Sequence, residues 1–194
     1  MVEDVRHELR SRFVLFSFEG TAEQIIIERL FEDDLLCISR DRVVKDPMTF
    51  KPGTRSRKAR DIEERFLGEN YAVRGSEGLL VARIVDSRSA RFRFSKRYEG
   101  TAVVRSFFTR PEIEMLAIIH EDAYGSWLNA VKRNHNLRPS DYFSQNLGLR
   151  GIKRAEVLRD YWSDGLELAR CIREYSSKKG KSRGDELMLA DLLA

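Results

Sequence analysis

Short apolar runs of strand length alternate with helical patterns along the first half of this chain, and this order constrains the fold more than any other feature. Residues 13–18, Phe-Val-Leu-Phe-Ser-Phe, are almost entirely apolar, which is typical of a strand buried on both faces of a parallel sheet. A helix is predicted directly after it. Apolar residues recur from Ala22 to Leu30 at the spacing of one helix face, and Thr-Ala-Glu-Gln at 21–24 fits a capping box.

The later segments extend this pattern. Strands are predicted for apolar runs at 35–39, 78–85 and 103–108. Helices are predicted around Ala59, Ile62 and Phe66, and then over residues 113–132 and 153–175. The resulting order, β-α-β-α-β-β followed by helices, predicts an α/β fold with a mostly parallel sheet flanked by helices and a helical C-terminal part.

Two basic segments lie between these elements. Residues 45–57 have two prolines, several cations and no period, so we predict an exposed basic loop, either a plain connector or a loop that faces the substrate. Residues 89–98 alternate Phe92 and Phe94 with basic residues that include Arg91 and Arg93. This alternation predicts an edge strand or hairpin, and interleaved aromatic and basic residues are also typical of a nucleic-acid contact.

The length of 194 residues fits one domain, which we place at 12–175. Residues 1–11 mix charges without a period and are predicted to form a flexible arm, whereas residues 176–194 are predicted to be a basic linker and a short amphipathic tail, helical and docked on the body or on another subunit. No apolar stretch approaches the roughly 18–20 residues that span a bilayer, and the N-terminal residues lack a signal-peptide pattern. We therefore expect a cytoplasmic protein with no membrane partner.

Charge and cysteine content narrow the possible partners. The net charge is +4, and 26 of the 35 basic residues are arginine. The planar guanidinium suits phosphate, so this bias is compatible with a nucleic-acid partner, although a GC-rich genome produces the same bias. Cys37 and Cys171 each lie beside a large aliphatic residue, which predicts core side chains rather than a disulfide or a zinc site.

Two acidic residues are placed where ligands bind in parallel sheets, beyond the carboxyl ends of the strands. Glu19 ends the first predicted strand, and Asp86 ends the strand at 78–85. If the two strands are neighbours, the two carboxylates share one sheet edge and could hold Mg²⁺ or Mn²⁺, which prefer oxygen ligands. Alternatively, each acid begins a turn or caps a helix.

A third acid, Glu114, lies in the otherwise apolar run 113–119, at the rim of a surface that we expect to be buried. A carboxylate there is costly unless it is paired or bound to metal. We predict either a metal ligand or an ion pair with an arginine. His120 follows on the same helix as a packed, hydrogen-bonded histidine or as a catalytic one.

These residues together resemble a known superfamily. An apolar strand followed by Glu19-Gly-x-x-Glu23, and a later apolar strand that ends in Asp86-x-Arg88, are similar to the Toprim domain of topoisomerases, primases and OLD nucleases. Within that superfamily, Pro111 with Glu114 and His120 resembles a segment of RloB-like proteins, which are bacterial and associated with phage defence. The resemblance implies a Toprim-like Rossmannoid sheet and metal-dependent phosphodiester chemistry.

The resemblance also implies roles for individual residues. Glu19 would be the general acid/base or first metal ligand, and Asp86 a metal ligand. Glu114 would be a supporting acid, with His120 as a further catalytic candidate. Toprim enzymes carry a second aspartate where this chain has Arg88, so the site would hold a single ion while Arg88 grips phosphate. The predicted substrate-binding set is Glu23, Arg88, Arg91 and Arg93.

Three functions are compatible with these features. The first is a Toprim-like, metal-dependent nuclease of an anti-phage system. The second is an inactive Toprim-like module that binds nucleic acid or an ATPase partner, since RloB-like proteins are encoded beside an ATPase. The third is a small-molecule phosphohydrolase on the same sheet.

Overall fold

The computed structural model describes residues 2–86, 92–109, 113–148, 154–179 and 186–194. Four strands of this described chain form one sheet in the order β1 (Phe13–Phe18), β2 (Leu79–Val85), β3 (Ala102–Phe108) and β4 (Leu187–Met188). Every neighbouring pair is parallel. Helices flank the sheet and dominate the C-terminal part, so the predicted α/β class is confirmed.

The described α-helices are 7 to 15 residues long. They are α1 (Val2–Ser11), α2 (Thr21–Glu32), α3 (Ala59–Phe66), α4 (Glu114–His120), α5 (Tyr124–Arg133), α6 (Pro139–Asn146), α7 (Ala155–Tyr161) and α8 (Gly165–Lys179). In the part of the chain that is described, no helix is both long and apolar enough to cross a membrane.

Each face of the sheet packs against different helices. On one face, alternate strand residues such as Phe16, Leu80 and Phe107 join a core with α2, α4 and α8. On the other face, Leu15 and Val81 pack against α3. Burial on both faces explains why the strands of the sequence are nearly continuous apolar runs.

The outer edge of β1 is covered by residues 43–54. Backbone hydrogen bonds join Thr54 N–H to the Phe16 carbonyl at 2.8 Å and Phe18 N–H to the Thr54 carbonyl at 3.0 Å. Gly53 has a φ of +74° here, and a Cβ at this position would stand 2.6 Å from the Phe16 carbonyl oxygen. The predicted basic loop is therefore anchored along most of its length, and it leads directly to the carboxyl end of β1.

Several predicted elements differ in the structure. Residues 2–11 form α1 instead of a flexible arm, because Val5 and Leu9 are buried in the core. The run at 35–39 is no strand: Leu36 makes only an isolated antiparallel bridge to Leu193. In the segment 89–98, residues 92–95 are irregular and 96–98 form a 3₁₀ turn, while 87–91 lie outside the described residues.

The C-terminal half also departs from the prediction. Each long predicted helix is two helices, α4 with α5 and α7 with α8. The tail is not an amphipathic helix: its described part, 186–194, adds β4 to the sheet beside β3 and then forms a 3₁₀ helix, Leu189–Leu192. Five of its side chains are buried within the same chain, Leu192 completely: Met188, Leu189, Asp191, Leu192 and Leu193.

Candidate active site

The carboxyl ends of β1 and β2 bring Glu19 and Asp86 together. The Glu19 N–H donates to the Ile84 carbonyl at 3.0 Å, which continues the parallel ladder by one residue. The Asp86 N–H then donates to Oε2 of Glu19 at 2.9 Å. The sequence prediction that these acids share one sheet edge depended on β1 and β2 being neighbours, which they are.

A cleft of about 390 Å³ opens beside this edge, on the face covered by α2 and α4. The first turn of α2 forms one wall, and the start of α4 forms the other. Its acidic lining residues are Glu23, Asp86 and Glu114; apolar walls include Ala117, Leu158 and Trp162. The cleft is therefore concave, lined by three acidic residues and placed where ligands bind in parallel sheets.

The position of Glu23 follows from the glycine before it. Gly20, in extended conformation, is the N-cap of α2, and Thr21 lies inside the helix, so the predicted Thr21 cap is wrong. A Cβ at Gly20 would stand 2.7 Å from Oε2 of Glu23, so glycine lets that carboxylate keep its position, whereas a larger residue would make it shift. Burial raises the pKa of Glu23, and the negative charges of Asp86 and Glu19 raise it further, against hydrogen bonds from backbone N–H groups that lower it.

Glu114 begins α4 and is only 6% exposed, as its apolar surroundings in the sequence predicted. It lines the same cleft as Asp86. Glu19 does not: its side chain faces a second pocket, on the α3 side of the sheet. Among the described residues, no three of the site's acidic residues place one oxygen each within 4.8 Å of one another, so an ion shared by three of them requires their side chains to move closer.

The second pocket contains functional candidates that the sequence analysis missed. It has a volume of about 200 Å³ and is lined by Ser17, Glu19, Arg57, Arg83 and Val85. Arg83 lies inside β2 and is 8% exposed. A single charged residue within an otherwise apolar strand was the available signal for it.

His120 lies apart from the carboxylates, at the far end of α4, about 9 Å along the helix axis from Glu114 at 1.5 Å per residue. Its Nδ1 is 3.0 Å from Oε1 of Glu167 on α8, and its ring packs edge-on against Tyr161 and Trp162. The structure therefore does not bring His120 to the predicted catalytic group.

His120, Glu167 and Cys171 form a cluster that could hold a metal ion, since one ligand atom from each lies within 4.8 Å of the others. Two features of the cluster oppose this. Arg170 already pairs with Oε1 of Glu167 at 2.6 Å, and burial raises the pKa of the Cys171 thiol to about 12. Cys37 is half-buried, and neither Cys37 nor Cys171 forms a disulfide.

The remaining predicted substrate residues fall outside both pockets or outside the described chain. Arg93 is exposed and pairs with Glu99 at 3.1 Å, and it lines neither pocket. Arg88 and Arg91 belong to the segment 87–91, outside the described residues.

Comparison with protein-family models, with curated proteins and with solved structures gives no match for this chain.

Proposed function

We propose that this protein is a Toprim-like, metal-dependent phosphodiesterase that cleaves nucleic acid, as the resemblance to RloB-like defence proteins implies. The observation that carries the proposal is the hydrogen bond from Asp86 N–H to the Glu19 carboxylate. It joins two acids at the carboxyl edge of a parallel sheet, beside a cleft that also contains Glu23 and Glu114.

The residues fit a hard divalent cation. Every donor in the acidic group is a carboxylate oxygen, the ligand type that Mg²⁺ and Mn²⁺ prefer. The raised pKa of Glu23 reflects burial together with the negative charges of Asp86 and Glu19, and a cation would relieve this repulsion. We assign Asp86, Glu19 and Glu114 as the residues that would hold the ion; Glu23 lines the same cleft as Asp86 and Glu114.

An ion bound there would activate water and stabilise charge on the phosphate under attack. The chain itself supplies the other functions. Oε2 of Glu19 accepts the Asp86 N–H, so its second carboxylate oxygen is left either to bind the ion or to transfer a proton. The apolar walls at Ala117, Leu158 and Trp162 limit water in the cleft.

A binding module without catalysis is the second candidate. It is favoured by the separation of the acidic residues, since no three of those described at the site place one oxygen each within 4.8 Å of one another. The presence of Arg88 where Toprim enzymes have an aspartate also favours it. In this case, nucleic acid or an ATPase would bind without hydrolysis, as the resemblance allows.

The test is a cleavage assay on labelled single- and double-stranded DNA and RNA, with Mg²⁺, Mn²⁺ or EDTA. Glu19→Gln should lower the metal-dependent rate by about 10²–10⁴-fold, the range for loss of a general acid or base, and Asp86→Asn should lower it by removing a ligand of the ion. Glu64→Gln on α3 and Asp160→Asn on α7 are the matched controls, since both residues are exposed and line neither pocket.

Thermal unfolding of each variant separates a chemical defect from a folding defect. Unchanged cleavage in both active-site variants would show that the assignment is wrong. If the wild-type protein binds polynucleotide but cuts none with either metal, the binding module becomes the better description.

A further inference from the structure

The pocket on the α3 side of the sheet lies at the same strand ends as the acidic cleft, but its lining side chains have the opposite net charge. Two guanidinium groups, of Arg57 and Arg83, converge there with the hydroxyl-bearing Ser17. Glu19 is the one acid in the lining, and its carboxylate already accepts a hydrogen bond from Asp86 N–H. The lining side chains therefore carry a net positive charge, directly behind the carboxylates of the neighbouring cleft.

Arg83 is fixed by the sheet. In the strand register it lies between Ser17 of β1 and Ser106 of β3, so all three side chains project from the α3 face in one row. Its guanidinium lies 4.7 Å from the centre of the Phe92 ring, and Nη1 is 3.4 Å from the Ser106 hydroxyl. Burial lowers the pKa of Arg83, while the Glu19 carboxylate opposes the shift. A charge kept in this position is rigid and only partly solvated.

Arg57 reaches the same pocket from the segment that covers the β1 edge. Its Nη1 donates to the Glu19 carbonyl at 3.1 Å. The preceding residue is held in place because the Ser17 hydroxyl donates to the Ser56 carbonyl at 2.8 Å. Arg57 is exposed, so it lies at the mouth of the pocket, whereas Arg83 lies at its base.

We propose that this pocket binds one phosphate of the polynucleotide backbone, next to the phosphate that is attacked in the acidic cleft. The choice of a polynucleotide rests on the function proposed above. Two guanidinium groups provide the charge-assisted donors that phosphate accepts best. The volume of about 200 Å³ is below the range of about 300–1,000 Å³ typical of sites for whole small molecules, and so suits a single phosphate group.

A phosphate bound in this pocket would fix the direction in which the polynucleotide runs across the site. A nucleic-acid strand with one phosphate in this pocket must pass over the carboxyl ends of β1 and β2 to reach Asp86 and Glu114. Glu19 lies at that crossing: its carboxylate accepts a hydrogen bond from the Asp86 N–H, and its backbone carbonyl accepts one from Arg57. Arg57 and Arg83 are therefore positioning residues, not catalytic residues.

The test measures the affinity of fluorescein-labelled oligothymidylate and oligouridylate by fluorescence anisotropy, in EDTA and over a range of salt concentrations. EDTA makes the measurement independent of metal chemistry. Arg57→Gln should weaken binding about tenfold, the effect of losing one hydrogen bond to a charged group. It should also lower the dependence of log K on log salt by about 0.7, the value for one phosphate contact on a single strand.

Arg55→Gln is the matched control, because Arg55 is an exposed arginine on the same segment and does not line the pocket. It should change affinity less than about twofold. Arg83→Gln should behave as Arg57→Gln does, provided that its thermal unfolding is unchanged. Equal losses in Arg55→Gln and Arg57→Gln, or no binding of either oligonucleotide to the wild-type protein, would overturn the proposal.

The cleavage assay distinguishes failure of this proposal from failure of the proposed function. A selective effect of Arg57→Gln in a protein that cuts nothing would support the phosphate pocket and reject the nuclease. Metal-dependent cleavage without any selective effect of Arg57→Gln would support the nuclease and reject the pocket.

Discussion

Glu19 connects three parts of the site through separate atoms of one residue. Its N–H extends the β1–β2 ladder, its carboxylate accepts the Asp86 N–H, and its carbonyl accepts Arg57. The same side chain is therefore a structural link and the proposed acid/base. For this reason Glu19→Gln, which keeps an acceptor oxygen, is a better test of chemistry than Glu19→Ala.

His120 differs from Glu19: the sequence offered it as a catalytic candidate, but in the structure its ring is packed against other aromatic side chains. We expect His120→Asn to leave the rate of metal-dependent cleavage within about twofold and to lower the free energy of unfolding by about 1–2 kcal/mol, because it removes ring packing and weakens the bond to Glu167. The measurements are the cleavage rate and urea denaturation. A loss of cleavage in a stably folded variant would restore the catalytic role that the sequence suggested.

Among the elements, the segment at 43–57 is ordered by Asp46. This buried carboxylate accepts the N–H groups of Met48 and Thr49, and it pairs with Arg65 of α3 at 2.7 Å. Burial raises the pKa of Asp46, but these hydrogen bonds, one from Thr54 and the charge of Arg65 outweigh burial and hold it below its ordinary value. The ionised Asp46 side chain thus helps to hold the segment that carries Arg57, together with the backbone hydrogen bonds between that segment and β1.

The direction of this shift predicts how stability depends on pH. Because the pKa of Asp46 is lower in the folded state, its contribution is fully present above about pH 4 and is lost as the pH falls through the folded-state pKa. Asp46→Asn should cost about 2 kcal/mol at pH 7, and the difference from wild type should shrink below about pH 4. Urea denaturation across pH measures this, with Asp160→Asn as the control. A difference that stays constant with pH would contradict the account.

Elements defined by local patterns were predictable from the sequence, and elements defined by distant contacts were not. The strands at 13–18, 79–85 and 102–108 are apolar runs, and α2 follows its periodicity. The boundary between α7 and α8 also had a local signal, since Asp164 accepts the N–H groups of Leu166 and Glu167 as a helix cap. By contrast, β4 forms only because the tail returns to β3, and no local pattern encodes that pairing.

The residues of the site divide in the same way, into those that local sequence patterns predict and those that depend on distant contacts. Glu19 and Asp86 could be predicted because each follows directly after an apolar strand in a parallel sheet. The Arg57 contact could not, because it depends on residues 43–56 folding back along β1. The separation of His120 from Glu114 also follows from tertiary packing, since α4 runs towards α8 and away from the sheet edge.

At the scale of the whole molecule, the tail completes the core. The Cys37 N–H donates to the Leu192 carbonyl at 2.8 Å, and the Ala194 N–H donates to the Leu35 carbonyl at 3.0 Å. Leu192 is fully buried in the same core as α1, α2 and α8. The last described segment is therefore packed within the domain and is not an appended extension.

Leu192→Ala tests this integration. It should lower the free energy of unfolding by about 2–5 kcal/mol, since it leaves a cavity in the main core. Leu166→Ala is the control, because Leu166 is 69% exposed and its truncation should cost less than about 0.5 kcal/mol. Both are measured by urea denaturation. Similar small losses in the two variants would mean that the tail is not part of the cooperative core.

The central claim is that the carboxylates at the sheet edge hold the metal ion, and Mn²⁺ binding measured by electron paramagnetic resonance tests it most directly. The chain offers a second candidate cluster at His120, Glu167 and Cys171, so the variants must separate the two. We predict that wild-type protein binds Mn²⁺, that Asp86→Asn weakens binding by at least about tenfold, and that His120→Asn leaves it unchanged. No Mn²⁺ binding, or binding lost in His120→Asn and kept in Asp86→Asn, would contradict the account.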